Sequence, residues 1–209
     1  MDDEKIGGSA IAKPSRSAQS EAEVAFVDKL RAGDAVAFEQ LVNRYSPEIY
    51  GLLYRIMKDP EEARDITQET FLRAFRAISK FRGEASVKTW LYRIAINQSR
   101  NRYRWWQRRK KDKTVSLDDS PAGIERPLSE VIAGDELTPE EDALRREQGA
   151  MLETAIGELP EHFREAVVLC DVQGFAYEEI AEILEINIGT VKSRISRGRR
   201  ELRSKLKDI

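Results

Sequence analysis

Apolar side chains recur at steps of three and four residues along most of this chain. Leu41, Tyr45, Ile49, Leu52 and Ile56 form one such series. This spacing places apolar groups on one face of an α-helix, whereas a half-buried strand would alternate at every second residue. Because no strand-like alternation of useful length occurs, the sequence predicts an all-α fold.

The helical pattern is interrupted over residues 113–137, which lack periodicity and contain Pro121, Gly123, Pro127 and Gly134. We interpret this acidic stretch as a flexible linker between two small helical domains. The predicted divisions are a disordered tail (1–20), a first domain (21–112), the linker (113–137) and a second domain (138–209).

Two helix starts carry recognisable capping residues, in the stretches Asp59-Pro60-Glu61-Glu62 and Thr138-Pro139-Glu140-Glu141. A capping side chain followed by proline at the first helical position is typical of a helix N-terminus. Ser86 and Asn187 are predicted to cap two further helices.

The rarest residue types limit the possible chemistry. The 209 residues include one cysteine and one histidine, which excludes an intramolecular disulfide, a CxxC zinc site and a His-rich metal site. Cys170 falls in an apolar helical stretch and is interpreted as a core residue.

No apolar run approaches the roughly 18 residues of a membrane helix, and the acidic start is unlike a signal peptide. We expect a cytoplasmic, soluble protein without a metal or other cofactor.

The net charge of −2 hides an uneven distribution. Residues 100–113 hold eight Lys or Arg against one Asp, residues 117–147 hold ten acids against three arginines, and residues 192–207 hold eight Lys or Arg against one Glu. Two basic blocks separated by an acidic stretch indicate two cationic surfaces on separate bodies. Each block by itself is equally compatible with an ordinary solvated helix face.

Residues 177–207 have the pattern of a helix-turn-helix, in which a short helix and a tight turn precede a longer basic helix. The second helix of this motif enters the major groove of DNA. At about 100° per residue, its core side collects Val191, Ile195, Gly198, Leu202 and Leu206, and its opposite side collects Lys192, Ser193, Ser196, Arg197, Arg199, Arg200 and Arg203. The basic side favours contacts to phosphates and guanine edges over an ordinary amphipathic helix.

Residues 90–106 interleave aromatic, amide and basic side chains, which suits a DNA backbone and unpaired bases. Trp90 has the spacing of a core residue. Asn97 carries little weight by itself, since an asparagine within a helix is often merely exposed. Trp105 and Trp106 are either base-stacking groups or a hydrophobic cap, and the sequence does not choose between these roles.

An enzyme is the first alternative. Glu61, Glu62, Asp65 and Glu69 cluster at helical spacing and could bind Mg²⁺, as in all-α nucleotide pyrophosphohydrolases. However, Glu61 and Glu62 are also explained as first-turn acids that complement the helix dipole. The first domain has no second acidic helix of matching pattern, so we expect a protein that is not an enzyme.

Seven motifs occur in a fixed order along the chain. They are AFEQLVNRY (37–45), the stretch from Asp65 to Phe71, Phe81-Arg82-Gly83, TWLYRIAIN (89–97), Leu159-Pro160 with Phe163-Arg164, Tyr177-Glu178-Glu179-Ile180-Ala181, and Gly189-Thr190-Val191-Lys192-Ser193-Arg194. Together with the acidic linker, this ordered set resembles the extracytoplasmic-function (ECF) sigma factors of bacterial RNA polymerase, over about residues 24–206.

The resemblance implies three contact surfaces. A core-polymerase surface comprises Asp65, Gln68, Glu69, Phe71 and Leu72. A minus-ten DNA surface, whose loop 81–87 and Asn97 would capture a flipped base, comprises Phe81, Arg82, Gly83, Ser86, Asn97, Arg100, Asn101, Arg102 and Arg104. A minus-thirty-five DNA surface comprises Tyr177, Thr190, Lys192, Ser193, Arg194, Ser196, Arg197, Arg199 and Arg200. The two domains then correspond to sigma domains 2 and 4.

The resemblance also implies the partners. These are core RNA polymerase, through the clamp helices of its largest subunit and the flap of the second, and promoter DNA as duplex and as non-template single strand. The acidic linker would thread through the polymerase cleft. An inhibitory anti-sigma factor, often membrane-bound, is implied as well. The expected function is promoter recognition, DNA melting and transcription initiation for a stress- or envelope-responsive gene set, with the protein associated with the nucleoid when in holoenzyme.

Two positions depart from the family pattern. Ala176 stands where a Ser, Thr or Pro is usual, and the lost cap should cost about 0.5–2 kcal/mol of helix stability. Asn187 stands where proline is frequent. Neither change removes a DNA-contacting group. A second alternative, a stand-alone helix-turn-helix regulator, accounts for residues 177–207 but leaves the first domain without a role.

Overall fold

The computed structural model describes residues 16–112 and 139–207. Within these two ranges it contains eight α-helices and no β-strand, which confirms the all-α prediction. In chain order the helices are α1 (Arg16–Arg31), α2 (Ala35–Met57), α3 (Pro60–Ala77), α4 (Val87–Asp112), α5 (Pro139–Gly157), α6 (Glu161–Val167), α7 (Tyr177–Leu184) and α8 (Ile188–Lys205). We call α1–α4 the first unit and α5–α8 the second unit. The predicted linker (113–137) and residues 1–15 of the predicted tail lie outside the described residues.

Helix starts in the first unit follow the capping chemistry of the sequence. The Asp59 carboxylate accepts hydrogen bonds from the N–H groups of Glu61 and Glu62 at 2.9 and 3.0 Å. The Ser86 hydroxyl oxygen accepts from the Thr89 N–H at 3.0 Å at the start of α4. These bonds pair backbone donors that a helix N-terminus otherwise leaves free.

The first helix begins earlier than was predicted. Residues 16–20, which were assigned to a disordered tail, belong to α1. This helix packs Leu30 into the core of the first unit, where Leu30 is almost fully buried. Gly33 then adopts a φ of +79°, a conformation that favours glycine, and so turns the chain into α2.

The second unit contains the predicted helix-turn-helix. After α6 the chain continues as a π-helical turn, Val168–Val172, which leads to α7. Glu185 adopts a left-handed conformation in the turn between α7 and α8. Four residues of the predicted core stripe of α8 are buried, namely Val191, Ile195, Gly198 and Leu202. Leu206 departs from the prediction and is 41% exposed, because it lies beyond the last residue of α8.

The two units pack against each other, mainly through α4 of the first unit and α7 of the second. Their buried apolar side chains form one continuous cluster. Tyr92 on α4 is fully buried, and its ring meets Phe175 of the second unit edge to face, with centroids 4.7 Å apart. None of the helices in the described ranges has the length and apolarity that crossing a membrane requires.

Candidate polymerase and DNA interfaces

The outer face of α8 is exposed and basic. Lys192, Ser193, Ser196, Arg197 and Arg200 all present exposed side chains. Arginine and lysine can pair with phosphates or read guanine edges, and short serines let a helix approach DNA closely. This part of the predicted minus-thirty-five surface is therefore accessible to a duplex.

Three further members of that predicted surface are less accessible. Thr190 is half-buried, and its N–H and hydroxyl both donate to the Asn187 side-chain oxygen, at 2.8 and 2.9 Å, so Thr190 belongs to the predicted cap of α8. Arg194 and Tyr177 are also half-buried. Tyr177 lies in a shallow depression on α8, which is lined by Tyr177, Lys192, Ile195, Ser196, Arg199, Arg200 and Arg203.

Arg199 is held by an acid from the π-helical turn. Its Nε donates to Asp171 Oδ2 at 3.0 Å, and its Nη2 donates to Asp171 Oδ1. These hydrogen bonds raise the pKa of Arg199 above its usual value. The Cys170 sulfur lies 3.5 Å from Arg199 Nη2, and Cys170 is half-buried at the edge of the core, where burial raises the pKa of the thiol. The orientation of the Arg199 guanidinium is therefore fixed by a side chain of the same protein.

The predicted base-capture loop rests on Phe81. The Phe81 ring is buried against Trp90, with centroids 5.0 Å apart. Its carbonyl accepts two hydrogen bonds from Arg31, at 2.9 Å from Nε and 2.5 Å from Nη2. Phe81 therefore supports the loop and does not present its ring to DNA, because the apolar ring is removed from water. The exposed members of the loop are Arg82, Gly83, Glu84 and Ser86.

Asn97 lies beside this loop. It is half-buried in a shallow depression lined by Arg73, Ala77, Trp90, Ile94, Asn97 and Gln98. Trp90 belongs to both places, since it lines the depression and also packs on Phe81. The fold thus brings Asn97 and the loop into one region of the first unit.

The remaining minus-ten candidates on α4 differ in accessibility. Asn101 and Arg104 are exposed, and Arg104 Nη2 donates to Asn101 Oδ1 at 2.7 Å. Arg102 is half-buried, with its Nε 3.3 Å from Glu62 Oε2 on α3. Arg100 is half-buried and contacts the second unit.

Arg100 connects the two units. Its Nε and Nη2 donate to the Glu165 carboxylate at 2.9 and 2.6 Å, and its Nη1 donates to the Leu184 carbonyl at 3.2 Å. Glu165 is only 2% exposed. Hydrogen bonding to Glu165 raises the pKa of Arg100 above its usual value. In this arrangement the Arg100 guanidinium, which the sequence predicts to contact a DNA phosphate, is bound to the Glu165 carboxylate of the same chain.

Trp105 and Trp106 project from the basic part of α4, and both rings are exposed. The rings meet edge to face, with centroids 5.5 Å apart, and the Arg109 guanidinium lies 4.2 Å from the Trp105 centroid. Because both rings remain exposed, they do not cap the core. An aromatic pair flanked by arginines is a surface that suits nucleic acid.

The outer face of α3 combines acidic, amide and apolar groups. Asp65, Gln68 and Leu72 are exposed and stay predicted polymerase contacts, and Phe75 adds a second exposed apolar side chain. Phe71 is 6% exposed and belongs to the core, so it orients α3 and does not join the surface.

Two of the four carboxylates considered for Mg²⁺ are paired with arginines. Glu69 Oε1 accepts from Arg73 Nε at 3.0 Å, and Glu62 pairs with Arg102. Across residues 16–112 and 139–207, no three His, Cys, Asp or Glu side chains converge in a way that could hold a metal ion.

Three positioning residues were not found from the sequence, namely Arg31, Glu165 and Asp171. Their partners lie 50, 65 and 28 residues away along the chain. Charged side chains are ordinary on helix surfaces, so periodicity does not distinguish these three from solvated neighbours.

Two family models match this chain, one in each of its two units. The model of sigma-70 region 2 matches residues 41–110, which lie in the first unit. The model of sigma-70 region 4 matches residues 149–202, which lie in the second. The two matches thus fall on separate units, in the order of the motifs.

Individual relatives extend over nearly the whole chain. RNA polymerase sigma-H factor of Pseudomonas aeruginosa is 37% identical, covering 88% of this chain and 93% of that protein. ECF RNA polymerase sigma factor SigW of Bacillus subtilis is 38% identical, covering 88% of this chain and 96% of that protein. The solved structure of sigma factor RpoE from Bartonella quintana, in complex with the anti-sigma factor NepR, has a TM-score of 0.65 at 26% identity, covering 81% of this chain and 96% of that one. The chain belongs to the ECF sigma factors of bacterial RNA polymerase.

Proposed function

We propose that this sigma factor docks on core RNA polymerase through α3, reads duplex promoter DNA with α8, and captures unpaired bases with the loop after α3 and the neighbouring face of α4. Duplex contacts set the position of the polymerase. Preferential binding of the unpaired strand by the first unit drives DNA opening, because extruding a base costs only a few kcal/mol. The result is transcription initiation at a regulated set of promoters.

The observation that carries this proposal is the presence of three chemically different exposed surfaces. The outer face of α8 is basic. The exposed part of α4 combines arginines with Trp105 and Trp106, and the same helix carries Asn97 in a shallow depression. The α3 face is acidic and apolar, which suits a basic coiled coil of a protein partner. A stand-alone helix-turn-helix regulator needs the first of these surfaces and leaves the other two unexplained.

The proposed role is binding, with the chemistry of RNA synthesis supplied by the polymerase. Two of the four carboxylates that suggested a Mg²⁺ site, Glu62 and Glu69, pair with arginines. Their arrangement supports a docking surface more than a metal-assisted hydrolysis site.

We also propose that an anti-sigma factor controls the protein. The Bartonella RpoE, which this chain resembles, was solved in complex with the anti-sigma factor NepR. Such a partner would restrict transcription to the conditions that release it, which agrees with a regulated gene set.

Runoff transcription with sigma-free core polymerase on a library of randomised promoters tests the main proposal. We expect transcripts only from templates that share two sequence elements. The absence of any transcript or open bubble, at every sequence tried, would overturn the proposal. Copurification with core polymerase separates it from the stand-alone regulator.

Three variants assign the surfaces to their partners. Asp65→Ala with Gln68→Ala should reduce affinity for core polymerase. Arg197→Ala should weaken recognition of the duplex element and leave core binding intact. Asn97→Ala should change tolerance at one minus-ten base. If the first variant keeps its core affinity, α3 is not the polymerase contact. If the second keeps its duplex affinity, Arg197 does not read the duplex. If the third keeps its base preference, Asn97 does not capture a base.

A further inference from the structure

The last turns of α4 carry two tryptophans in contact with each other. Trp105 is 40% exposed and Trp106 is 44% exposed, and their rings meet edge to face. Indole rings are large apolar groups, so leaving them in water forgoes the free energy of burial. A pair of exposed rings on a basic helix therefore indicates a surface that a ligand covers.

The side of α4 that carries Asn97 continues to these rings. Asn97, Asn101, Arg104 and Arg108 follow one another at steps of four, three and four residues, and so share one side of the helix. Trp105 borders this side, because it lies four residues after Asn101 and three before Arg108. A strand of DNA that follows this side of α4 from Asn97 therefore reaches the Trp105 ring.

The arginines on either side of Trp105 in sequence differ from those nearer the start of the basic block. Arg104 Nη2 donates to the Asn101 amide oxygen at 2.7 Å, and Arg108 Nε donates to the Arg104 carbonyl at 3.3 Å. These acceptors are neutral, so the bonds do not compensate either guanidinium charge. Arg102, in contrast, contacts a carboxylate. Positive charge that can pair with phosphates thus accompanies the Trp105 ring.

We propose that Trp105 stacks on an unpaired base of the non-template strand, about three nucleotides from the base captured at Asn97, while Arg104 and Arg108 bind neighbouring phosphates. The proposal rests on the proposed function, because it adds a second base-binding site on the same strand. We call Arg104, Trp105, Trp106, Arg108 and Arg109 the tryptophan site.

The spacing between the two base-binding sites follows from helix geometry. Eight residues separate Asn97 from Trp105, which corresponds to about 12 Å along the helix at about 1.5 Å per residue. One strand of DNA advances about 3.4 Å per nucleotide, so about three nucleotides cover this distance. A strand captured at one site places its next bases near the other, which makes the second contact intramolecular.

The chemistry of the tryptophan site favours an unpaired strand over a duplex. A duplex presents its phosphates and base edges, whereas the faces of its bases are stacked inside. An unpaired base has a free face, and an aromatic ring can stack on it whatever its sequence. Trp106 and Arg109 both contact the Trp105 ring. We assign them as positioning residues, which hold this ring for stacking.

Two labelled oligonucleotides of equal length separate stacking from charge. One is oligothymidylate, and the other is an abasic oligomer that keeps the phosphates but has no bases. Fluorescence anisotropy measures the affinity of the full-length protein for each. Trp105→Leu keeps an apolar side chain and a good helix former but removes the ring. We expect Trp105→Leu to bind oligothymidylate about tenfold more weakly and the abasic oligomer with unchanged affinity.

Trp105→Phe keeps a smaller ring, so its affinity for oligothymidylate should fall between those of the wild type and Trp105→Leu. It also provides the test if Trp105→Leu fails to fold, as judged by circular dichroism. Equal weakening of both oligomers, or unchanged affinity for oligothymidylate, overturns the proposal. Weaker binding to core polymerase with unchanged affinity for oligothymidylate overturns it as well and assigns the ring to a protein contact.

Arg108→Gln and Tyr103→Ala are the controls. Arg108→Gln removes a phosphate contact, so it should weaken both oligomers by the same factor and reduce the salt dependence of binding. Tyr103 is another exposed aromatic residue of α4, and it lies about 160° around the helix from Trp105. Tyr103→Ala should therefore change neither affinity. If Tyr103→Ala weakens oligothymidylate as much as Trp105→Leu does, the tryptophan site is not specific.

The holoenzyme tests the register on a promoter recovered from the randomised library. 2-Aminopurine is placed at successive non-template positions around the base that Asn97→Ala affects. Trp105→Leu should lose fluorescence quenching about three nucleotides from that base and keep it at the captured base. An equal change at every position contradicts this register and overturns the proposal.

Failure of the tryptophan site is distinguishable from failure of the proposed function. Transcription by the wild type, together with unchanged oligothymidylate binding by Trp105→Leu, would remove the tryptophan site and leave the proposed function standing. Selective loss of oligothymidylate binding, with no transcript from any promoter even in the wild type, would contradict the proposed function instead.

Discussion

Asp171 and Arg199 are joined by two side-chain hydrogen bonds, although 28 residues separate them in sequence. Asp171 lies in the π-helical turn after α6, and Arg199 lies on the basic face of α8. A carboxylate that binds two nitrogens of a guanidinium fixes its plane. The Asp171 carboxylate also places one negative charge on the face of α8 that we propose binds DNA. The pair therefore affects both the orientation of Arg199 and the overall attraction for phosphates.

We predict that Asp171→Asn separates affinity from specificity. Binding to scrambled duplex should tighten, because a negative charge is removed. The ratio of promoter to scrambled affinity should fall by about tenfold, since a correctly oriented arginine contributes about 1–3 kcal/mol of base discrimination. Fluorescence anisotropy at several salt concentrations measures both quantities.

The matched control is Glu178→Gln, which removes an exposed acid of α7. It should tighten binding to both duplexes equally and leave their ratio unchanged. If Asp171→Asn behaves in the same way as this control, the Asp171 carboxylate does not orient Arg199 for base reading.

Caps were predictable from the sequence, and long-range ion pairs were not. Asp59, Ser86 and Asn187 each bond a backbone N–H two or three residues ahead, so the spacing along the chain contains the whole interaction. Glu165 finds Arg100 across 65 residues, and only the packing of α4 on the second unit brings the two together. Tertiary packing selects that pair from many equivalent charges.

The family motifs do not show which of their side chains face outward. Phe71 and Phe81 fall within motifs assigned to partners, yet both rings are buried. In each case the apolar ring orients its segment while its neighbours Leu72 and Arg82 remain exposed. A sequence motif records positions that matter to an interface and does not distinguish a contact from its support.

Gly198 should be essential to the packing of α8. A β-carbon there would lie 2.6 Å from Val167 Cγ2 and 3.3 Å from Phe163 Cβ. We predict that Gly198→Ala lowers the free energy of unfolding of the second unit by about 1–3 kcal/mol, the usual cost of overpacking. Urea unfolding followed by circular dichroism measures the change.

Gly149→Ala on α5 is the matched control. No atom lies within 4 Å of the added β-carbon. Because alanine is the better helix former, this change should raise stability by about 0.5–1 kcal/mol. Equal effects of the two substitutions would show that helix propensity, and not the contact with Val167, determines the outcome at Gly198.

The N-termini of α7 and α8, the two helices of the helix-turn-helix, are capped differently. Substitutions at the two caps should therefore change the stability of the protein in opposite directions. Ala176 has the extended conformation of an N-cap but no side-chain acceptor, and the Glu179 carboxylate accepts the Ala176 N–H at 2.9 Å. Ala176→Ser should therefore raise the melting temperature. Asn187→Ala removes the cap of α8 and should cost about 1 kcal/mol. Calorimetry on both variants checks the signs, and a loss of stability in Ala176→Ser would contradict the missing-cap interpretation.

Arg31 should control the base-capture loop from outside it. Its two hydrogen bonds to the Phe81 carbonyl connect α1 to the first residue of the loop. Arg31→Met keeps much of the aliphatic stem but removes both donors. We expect the rate of promoter opening, measured with 2-aminopurine in the minus-ten element, to fall by about tenfold, the effect of losing about 1.4 kcal/mol. Core affinity should stay unchanged.

Arg31→Lys is the control, because it restores a charge without the planar fork of arginine. This variant should recover the rate of promoter opening only in part. Full recovery would show that Arg31 supplies charge and not loop geometry.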